Sequence, residues 1–283
     1  MFIWLASYPK SGNTLVRSML AAYFFSKDGV YNFDLIKNIR QFPNITLFER
    51  MGIDVSKEEE VIKNYIKVQE TLNKKNSIQF LKTHSYLFNI NNYPFTDLNN
   101  TLGAIYIVRD PRNVVLSLAN HMGLSTDDAA KSMIENFKFG GDLNSNKTER
   151  TLLYMGTWNG NYNSWKPFKN QRRYLLIKYE DIINNRDLVF RKIIKFIYEL
   201  NKTKFIIDQK KFKNVIETTD FKQMQKLEEE KGFDEAKIHP KTGKKIKFFN
   251  LGPKNDWNKI LDKTTREKIE KNFKKEMKEL GYL

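Results

Sequence analysis

Lys10, Ser11, Gly12 and Thr14 sit between the apolar run Phe2–Ser7 and a segment in which Leu15, Met19, Ala22 and Tyr23 recur at helical spacing. A strand that turns through Pro9-Lys10-Ser11-Gly12-Asn13-Thr14 into a helix aims several backbone N–H groups at one point, which is a receptor for an anion. Gly12 lets the chain approach that anion closely. Lys10 adds a full charge, and the Ser11 and Thr14 hydroxyls add donors. The plainer interpretation of the same stretch is a turn followed by a helix cap. The nucleoside-triphosphate loop, G-x-x-x-x-G-K-[ST], places Lys after Gly. Here Lys10 precedes Gly12 and no Gly opens the loop, so a phosphate site is expected without the Mg²⁺ geometry of an ATPase.

The chain has three histidines. His84 follows the short apolar stretch 78–81, at a strand end where α/β sheets place ligands. A neutral imidazole there can take a proton from an acceptor hydroxyl; a loop histidine bonded to backbone is the alternative. His121 closes a helical segment, and lining a pocket or sitting at the negative end of the helix dipole accounts for it equally. His239 lies in a basic stretch before Pro240 and is assigned no chemistry. Lys10 and Lys82 can both meet charge that builds on a bridging oxygen as a transferred group departs. Such contacts raise rate because they strengthen in the transition state. The bland interpretation of Lys82 is a solvated lysine at a strand end. Arg109 offers a planar fork suited to a terminal phosphate. Ser117 faces the same ligand if Asp110-Pro111 makes a turn; a surface pair between Arg109 and Asp110 is the alternative.

These side chains need a frame. The runs Phe2–Ser7, 78–81, Thr101–Val108 and 173–178 read as short buried strands. Helical patterns cover Asn13–Phe25, 57–75, 113–122, 126–139, 154–168, 181–200 and 264–280. Short strands alternating with longer helices predict an α/β fold with a mainly parallel sheet. No repeat or Ser/Gly linker divides the chain, so residues 1–283 are expected to form one domain. A Gly-rich stretch at 138–150 and a second stretch at 230–256 read as mobile excursions from it.

The 283 residues carry a formal charge of +16 and no cysteine, which excludes disulfides and thiolate metal sites. Net charge of this sign attracts nucleotide phosphates, acidic sugars, nucleic acid or membrane surfaces. The excess of Lys, with abundant Asn and Ile, also fits the compositional drift of an AT-rich genome. The cluster at 237–247 is more informative and reads as a basic loop. The longest apolar stretches are too short to span a bilayer, and no signal-like segment opens the chain, so a cytoplasmic protein is expected.

The segment YPKSGNT resembles the 5′-phosphosulfate loop of sulfotransferases that use 3′-phosphoadenosine 5′-phosphosulfate (PAPS). Further family marks follow in order. FLKTHS (80–85) resembles the lysine-threonine-histidine segment, and IYIVRDPRNVVLSL (105–118) the 3′-phosphate strand-loop-helix. KYED (178–181) resembles the tyrosine-glutamate-aspartate stretch, TTDFKQM (218–224) the adenine-contacting segment, and LGPKNDW (251–257) the closing glycine loop. Together they run through most of the chain.

The resemblance implies a P-loop-like three-layer α/β fold, a central parallel sheet flanked by helices. It also implies direct in-line transfer of a sulfuryl group to an acceptor hydroxyl, with His84 as base, Lys10 and Lys82 assisting, and no metal. Donor binding would fall to Lys10, Ser11, Gly12, Asn13, Thr14, Arg109, Ser117, Tyr179, Phe221 and Gly252, and the spent donor would be adenosine 3′,5′-bisphosphate (PAP).

Two departures stand out. Leu15 replaces the aromatic residue common after the loop threonine, so adenine stacking leans on Phe221. Asn250-Leu251-Gly252 stands where Arg-Lys-Gly is common, and Lys254 or a lysine of 241–247 is expected to compensate. The acceptor is left open among a small molecule, a lipid and a carbohydrate. The aromatics Tyr8, Tyr86 and Phe88 suit an apolar alcohol or phenol, whereas the basic loops suit an anionic sugar or lipid headgroup. No nucleic-acid module is recognised, and oligomeric state is left open. Two rivals remain: a nucleotide kinase of the same broad fold, requiring ATP and Mg²⁺, and a nucleotide- or polyanion-binding protein with decayed catalysis.

Overall fold

The computed structural model describes residues 1–73, 79–135, 137–139, 152–239 and 242–283, with 137–139 as backbone alone. Five parallel strands form the central sheet: β1 (Phe2–Ser7), β2 (Arg40–Gln41), β3 (Gln79–Thr83), β4 (Thr101–Val108) and β5 (Tyr174–Lys178). Their order across the sheet is β2-β3-β1-β4-β5.

A strand covered on both faces reads as a continuous apolar run, and every residue of β1 is buried. Its side chains alternate between two cores. Phe2, Trp4 and Ala6 join a layer with Ala129, Met133, Trp158, Tyr162, Ile269 and Phe273. Ile3 and Leu5 face the opposite layer, with Val16, Leu20, Phe190, Ile193 and Phe212. Residues Ala104 to Val108 of β4 repeat the alternation between the same two cores. The result is the expected three-layer α/β fold, with helices on both faces of a parallel sheet.

Several helical boundaries differ from the sequence expectation. The segment 57–75 is split into Glu58–Lys63 and Tyr65–Leu72. At the break, the Asn64 side chain donates to the Glu60 carbonyl (2.8 Å), the local competition that makes Asn a poor interior helix residue. The segment 154–168 is not one helix. It begins as a strand, Leu153–Gly156, passes Gly156 at a φ of 65°, and restarts as the helix Trp158–Ser164. The Thr157 hydroxyl caps that restart by accepting from Gly160 N. Trp158 and Trp165 are both buried, so their helical spacing reflected core packing. The helix expected over 126–139 ends at Ile134, and 181–200 divides into Tyr179–Asn184 and Arg186–Leu200.

The helices Gln209–Thr218 and Phe221–Lys231 precede the 230–256 stretch. Within that stretch, Phe248 and Phe249 are anchored by the Glu228 carboxylate, which accepts from their backbone N–H groups (2.7 and 2.9 Å). From residue 140 onward, the Gly-rich stretch lies outside the described residues.

Candidate active site

The carboxyl ends of parallel strands are where an open α/β sheet binds ligands. A cleft of about 1730 Å³ lies there, running over the β1 loop, the ends of β3 and β4, and the 230–256 stretch. Single-ligand pockets occupy about 300–1,000 Å³, so this space accommodates a nucleotide and a second molecule side by side.

The β1 loop meets the helix Asn13–Phe25 through Gly12, whose φ is 99° and which supplies no side-chain cap. The first N–H groups of the helix are therefore left to a ligand. A Cβ on Gly12 would sit 2.4 Å from Cδ2 of Tyr179, so the ring closes over the loop only because Gly is there. Ser11 is buried and its hydroxyl has no partner. Asn13 is the exception among the loop residues: its amide donates to the Leu5 carbonyl (2.9 Å) and the Ser7 hydroxyl (3.2 Å). Its side chain ties the loop to β1, leaving its contribution to a ligand to the backbone.

Lys10 also has positive φ (64°), and its ammonium lies 3.9 Å from the centre of the Phe248 ring. Burial, reinforced by Arg109 and Lys82, lowers its pKa to about 7 against the pull of Glu235. A group so poised gains charge when an anion arrives.

Arg109 stands at the end of β4. Its Nη1 donates to the Lys10 carbonyl (3.2 Å) and to the Ser117 hydroxyl (3.3 Å), and its guanidinium stacks 4.2 Å from the Tyr179 ring centre. Its Nε is buried without a partner. The turn expected at Asp110-Pro111 does bring Ser117 to Arg109. Asp110 pairs with Arg112 (2.7 Å), not with Arg109, and both are buried. A buried donor without a partner costs roughly 1–3 kcal/mol. Arg109 lines the cleft with its Nε unpaired, whereas the Ser11 hydroxyl is fully buried beneath the loop and does not line it.

His84 lines the cleft beyond β3. Its Nδ1 donates to the Ser7 carbonyl (2.9 Å). That bond fixes the tautomer, leaving Nε2 with its lone pair as the proton acceptor. Burial, then the charge of Lys82, depress the imidazole pKa to about 3, so the ring stays neutral near neutral pH. His121 also lines the cleft, edge-on to Phe248 at 5.7 Å, and burial holds its pKa well below the ordinary value.

Lys82 is buried and bonds Glu235 through both carboxylate oxygens (3.2 Å each). Glu235 also pairs with Arg17, whose remaining donors reach the Ile39 (2.8 Å) and Ile36 (3.2 Å) carbonyls. Burial would raise the Glu235 pKa, but Lys82 and Arg17 outweigh it and hold the carboxyl well below its usual range.

Sequence reasoning missed Glu235, Arg17 and Asn255. Asn255 donates to the Ser117 hydroxyl (2.8 Å) and the Asn113 carbonyl (2.9 Å), so the 250–257 segment clasps the helix that bears Ser117. Gly252 packs on Phe221: a Cβ there would meet the ring at 2.3 Å. Lys254 and the described lysines of 242–247 do not line the cleft, so the compensating cation expected there is not found among them. The aromatics expected at the acceptor also lie elsewhere. Tyr8 and Phe88 are core residues, and Tyr86 packs against Gly156.

The sequence profile of the family described as "Sulfotransferase domain" matches residues 2–281. No curated protein sequence matches the chain. Mouse sulfotransferase SULT7A1, solved with PAP, is 17% identical with a TM-score of 0.55, the match covering 98% of this chain and 84% of that one. Retinol dehydratase, solved with retinol and PAP, is 17% identical with a TM-score of 0.60, covering 98% and 81%. These likenesses show a shared fold, and the profile that spans nearly the whole length shows that the chain belongs to the sulfotransferase domain family.

Proposed function

We propose that the protein transfers a sulfuryl group from PAPS to an acceptor hydroxyl, with His84 as general base, within a single domain spanning residues 1–283. The observation that carries this reading is the fixed His84 tautomer, with Nδ1 held on Ser7 and Nε2 left to take a proton, beside an uncapped helix N-terminus. The fit to the donor is supported by the partnerless Arg109 Nε and by the two glycines whose Cβ positions Tyr179 and Phe221 occupy.

When bound, PAPS supplies the sulfuryl group and a phosphate leaving group. The β1 loop N–H groups and Lys10 would hold its 5′ end, and Arg109 with Ser117 would hold its 3′-phosphate. Tyr179 and Phe221 flank the nucleoside. His84 Nε2 takes the acceptor proton as the new O–S bond forms. Lys82 and Lys10 would meet the charge left on the bridging oxygen of the bound donor when its S–O bond breaks. Glu235 orients Lys82 for that contact.

Replacing His84 with Ala is expected to cut turnover by about 10²–10⁴ while PAP affinity stays nearly unchanged. Radiolabelled sulfuryl transfer and calorimetric PAP titration read the two quantities. Near-normal turnover would remove His84 from the base role.

A further inference from the structure

We infer that Glu180, locked by Tyr282, is a positioning residue that sets the preference for a nucleotide bearing a 3′-phosphate; this deepens the proposed donor site and rests on it. Arg109 is the group assigned to that phosphate. A guanidinium fork makes paired bonds to phosphate in one orientation, so the backbone that carries it has to be fixed. One carboxylate oxygen of Glu180 accepts from the backbone N–H of Asp110 (3.0 Å), in the peptide that follows Arg109. Glu180 is the second residue of the helix Tyr179–Asn184, and its neighbour Tyr179 places its ring centre 4.2 Å from the Arg109 guanidinium. Two adjacent residues thus hold Arg109, one at its backbone and one at its side chain.

The second carboxylate oxygen of Glu180 accepts from the Tyr282 hydroxyl (2.9 Å). Burial, then the charge of Glu180, raise the Tyr282 pKa far above its ordinary value, so this hydroxyl stays a donor. Tyr282 is held in turn. Its carbonyl accepts from Arg112 (2.7 Å), and the Lys178 ammonium lies 4.7 Å from its ring centre while donating to the Leu280 carbonyl (2.7 Å). Residues 280–282 therefore tie the end of β5 to the helix Pro111–Met122. Neither Glu180 nor Tyr282 lines the cleft, so both act on a nucleotide through Arg109 and Tyr179.

Geometry rather than charge carries the effect. A negative charge beside an anion site opposes the anion, so what Glu180 contributes is its acceptor oxygens. A Gln side chain has the same reach, and its amide oxygen can accept from Asp110 N in the same way. An Ala leaves that N–H without the bond and frees the Arg109 backbone to shift.

The test compares PAP with adenosine 5′-monophosphate, which lacks the 3′-phosphate, by calorimetric titration. The wild-type protein should bind PAP at least about 10²-fold more tightly, because the charge-assisted bonds to the extra phosphate are absent with the monophosphate. Glu180→Ala should cut that ratio by about tenfold, and Glu180→Gln should retain it. Tyr282→Phe should cut it by about threefold at an unchanged melting temperature, and it carries the test where Glu180→Ala does not fold. A general structural loss would weaken both nucleotides alike and leave the ratio intact. An unchanged ratio in folded Glu180→Ala or in Tyr282→Phe overturns the inference, as does a Glu180→Gln protein as impaired as Glu180→Ala. A wild-type protein that does not distinguish the two nucleotides overturns the donor reading itself, and the inference with it.

Discussion

Two loops leave neighbouring parallel strands at the same end of the sheet, and they are finished in opposite ways. The loop after β1 enters its helix through Gly12 with no side-chain cap. The loop after β4 enters its helix through Asp110, whose carboxylate accepts from Arg112 N and pairs with the Arg112 guanidinium. Arg112 is further held by Glu270 (2.8 Å) and lies 3.7 Å from the Trp257 ring centre. One helix start is closed by the chain's own anion, and the other carries no side-chain cap and is assigned, in the proposed function, to a foreign one. Topology alone therefore does not make the site. Leaving an N-terminus uncapped, with glycine supplying the backbone, does.

The comparison can be broken in three ways. Asp110→Ala should produce the largest change, a stability loss of about 3 kcal/mol, because it removes a helix cap and one of the two carboxylates on the buried Arg112 guanidinium, leaving Glu270 as the other. PAP affinity should move only a few-fold. A variant that keeps its melting temperature yet loses PAP would mean the β4 corner is itself a nucleotide contact.

Gly12→Ala should do the reverse. Backbone strain and the clash with Tyr179 should lower PAP affinity by about 10²-fold, while stability falls by about 1–3 kcal/mol. Unchanged affinity would show that the loop does not hold the ligand.

The smallest effect sharpens the account of Lys10. With its pKa lowered to about 7 by burial, Lys10 is increasingly neutral as pH rises, and an anion favours its charged form. PAP binding above pH 7 should therefore take up a proton, and affinity should fall by at most about tenfold per pH unit. Titrations in buffers of different ionisation enthalpy read the proton, and Lys10→Met should abolish the uptake. A pH-independent affinity would place the lysine outside the anion's field.

The β1 loop and the Arg109–Ser117 corner were legible in the sequence as structural units because their parts are local. A buried strand, a turn with glycine and a helix follow one another within residues 2–25, and Arg109 to Ser117 is likewise one continuous unit. Periodicity and turn chemistry speak to such segments directly. Glu235, Arg17 and Asn255 were not legible, because their meaning comes from partners far along the chain: Glu235 meets Arg17 and Lys82, and Asn255 meets Ser117. Composition does not single out Glu235 either, since Asp234 and Glu228, Glu229 and Glu230 stand close to it in the chain. The aromatic residues misled in the other direction. Tyr8 directly follows β1 and Phe88 lies four residues after His84, but both side chains are buried in the core. The edge strand β2 has only two residues, too few for any hydrophobic period to mark it.

The central claim is tested most directly by calorimetric titration of the wild-type protein with PAP and with ATP, each with and without Mg²⁺. The account predicts that PAP binds without metal and more tightly than ATP under either condition. Preference for ATP with Mg²⁺ would contradict it and return the protein to the kinase reading.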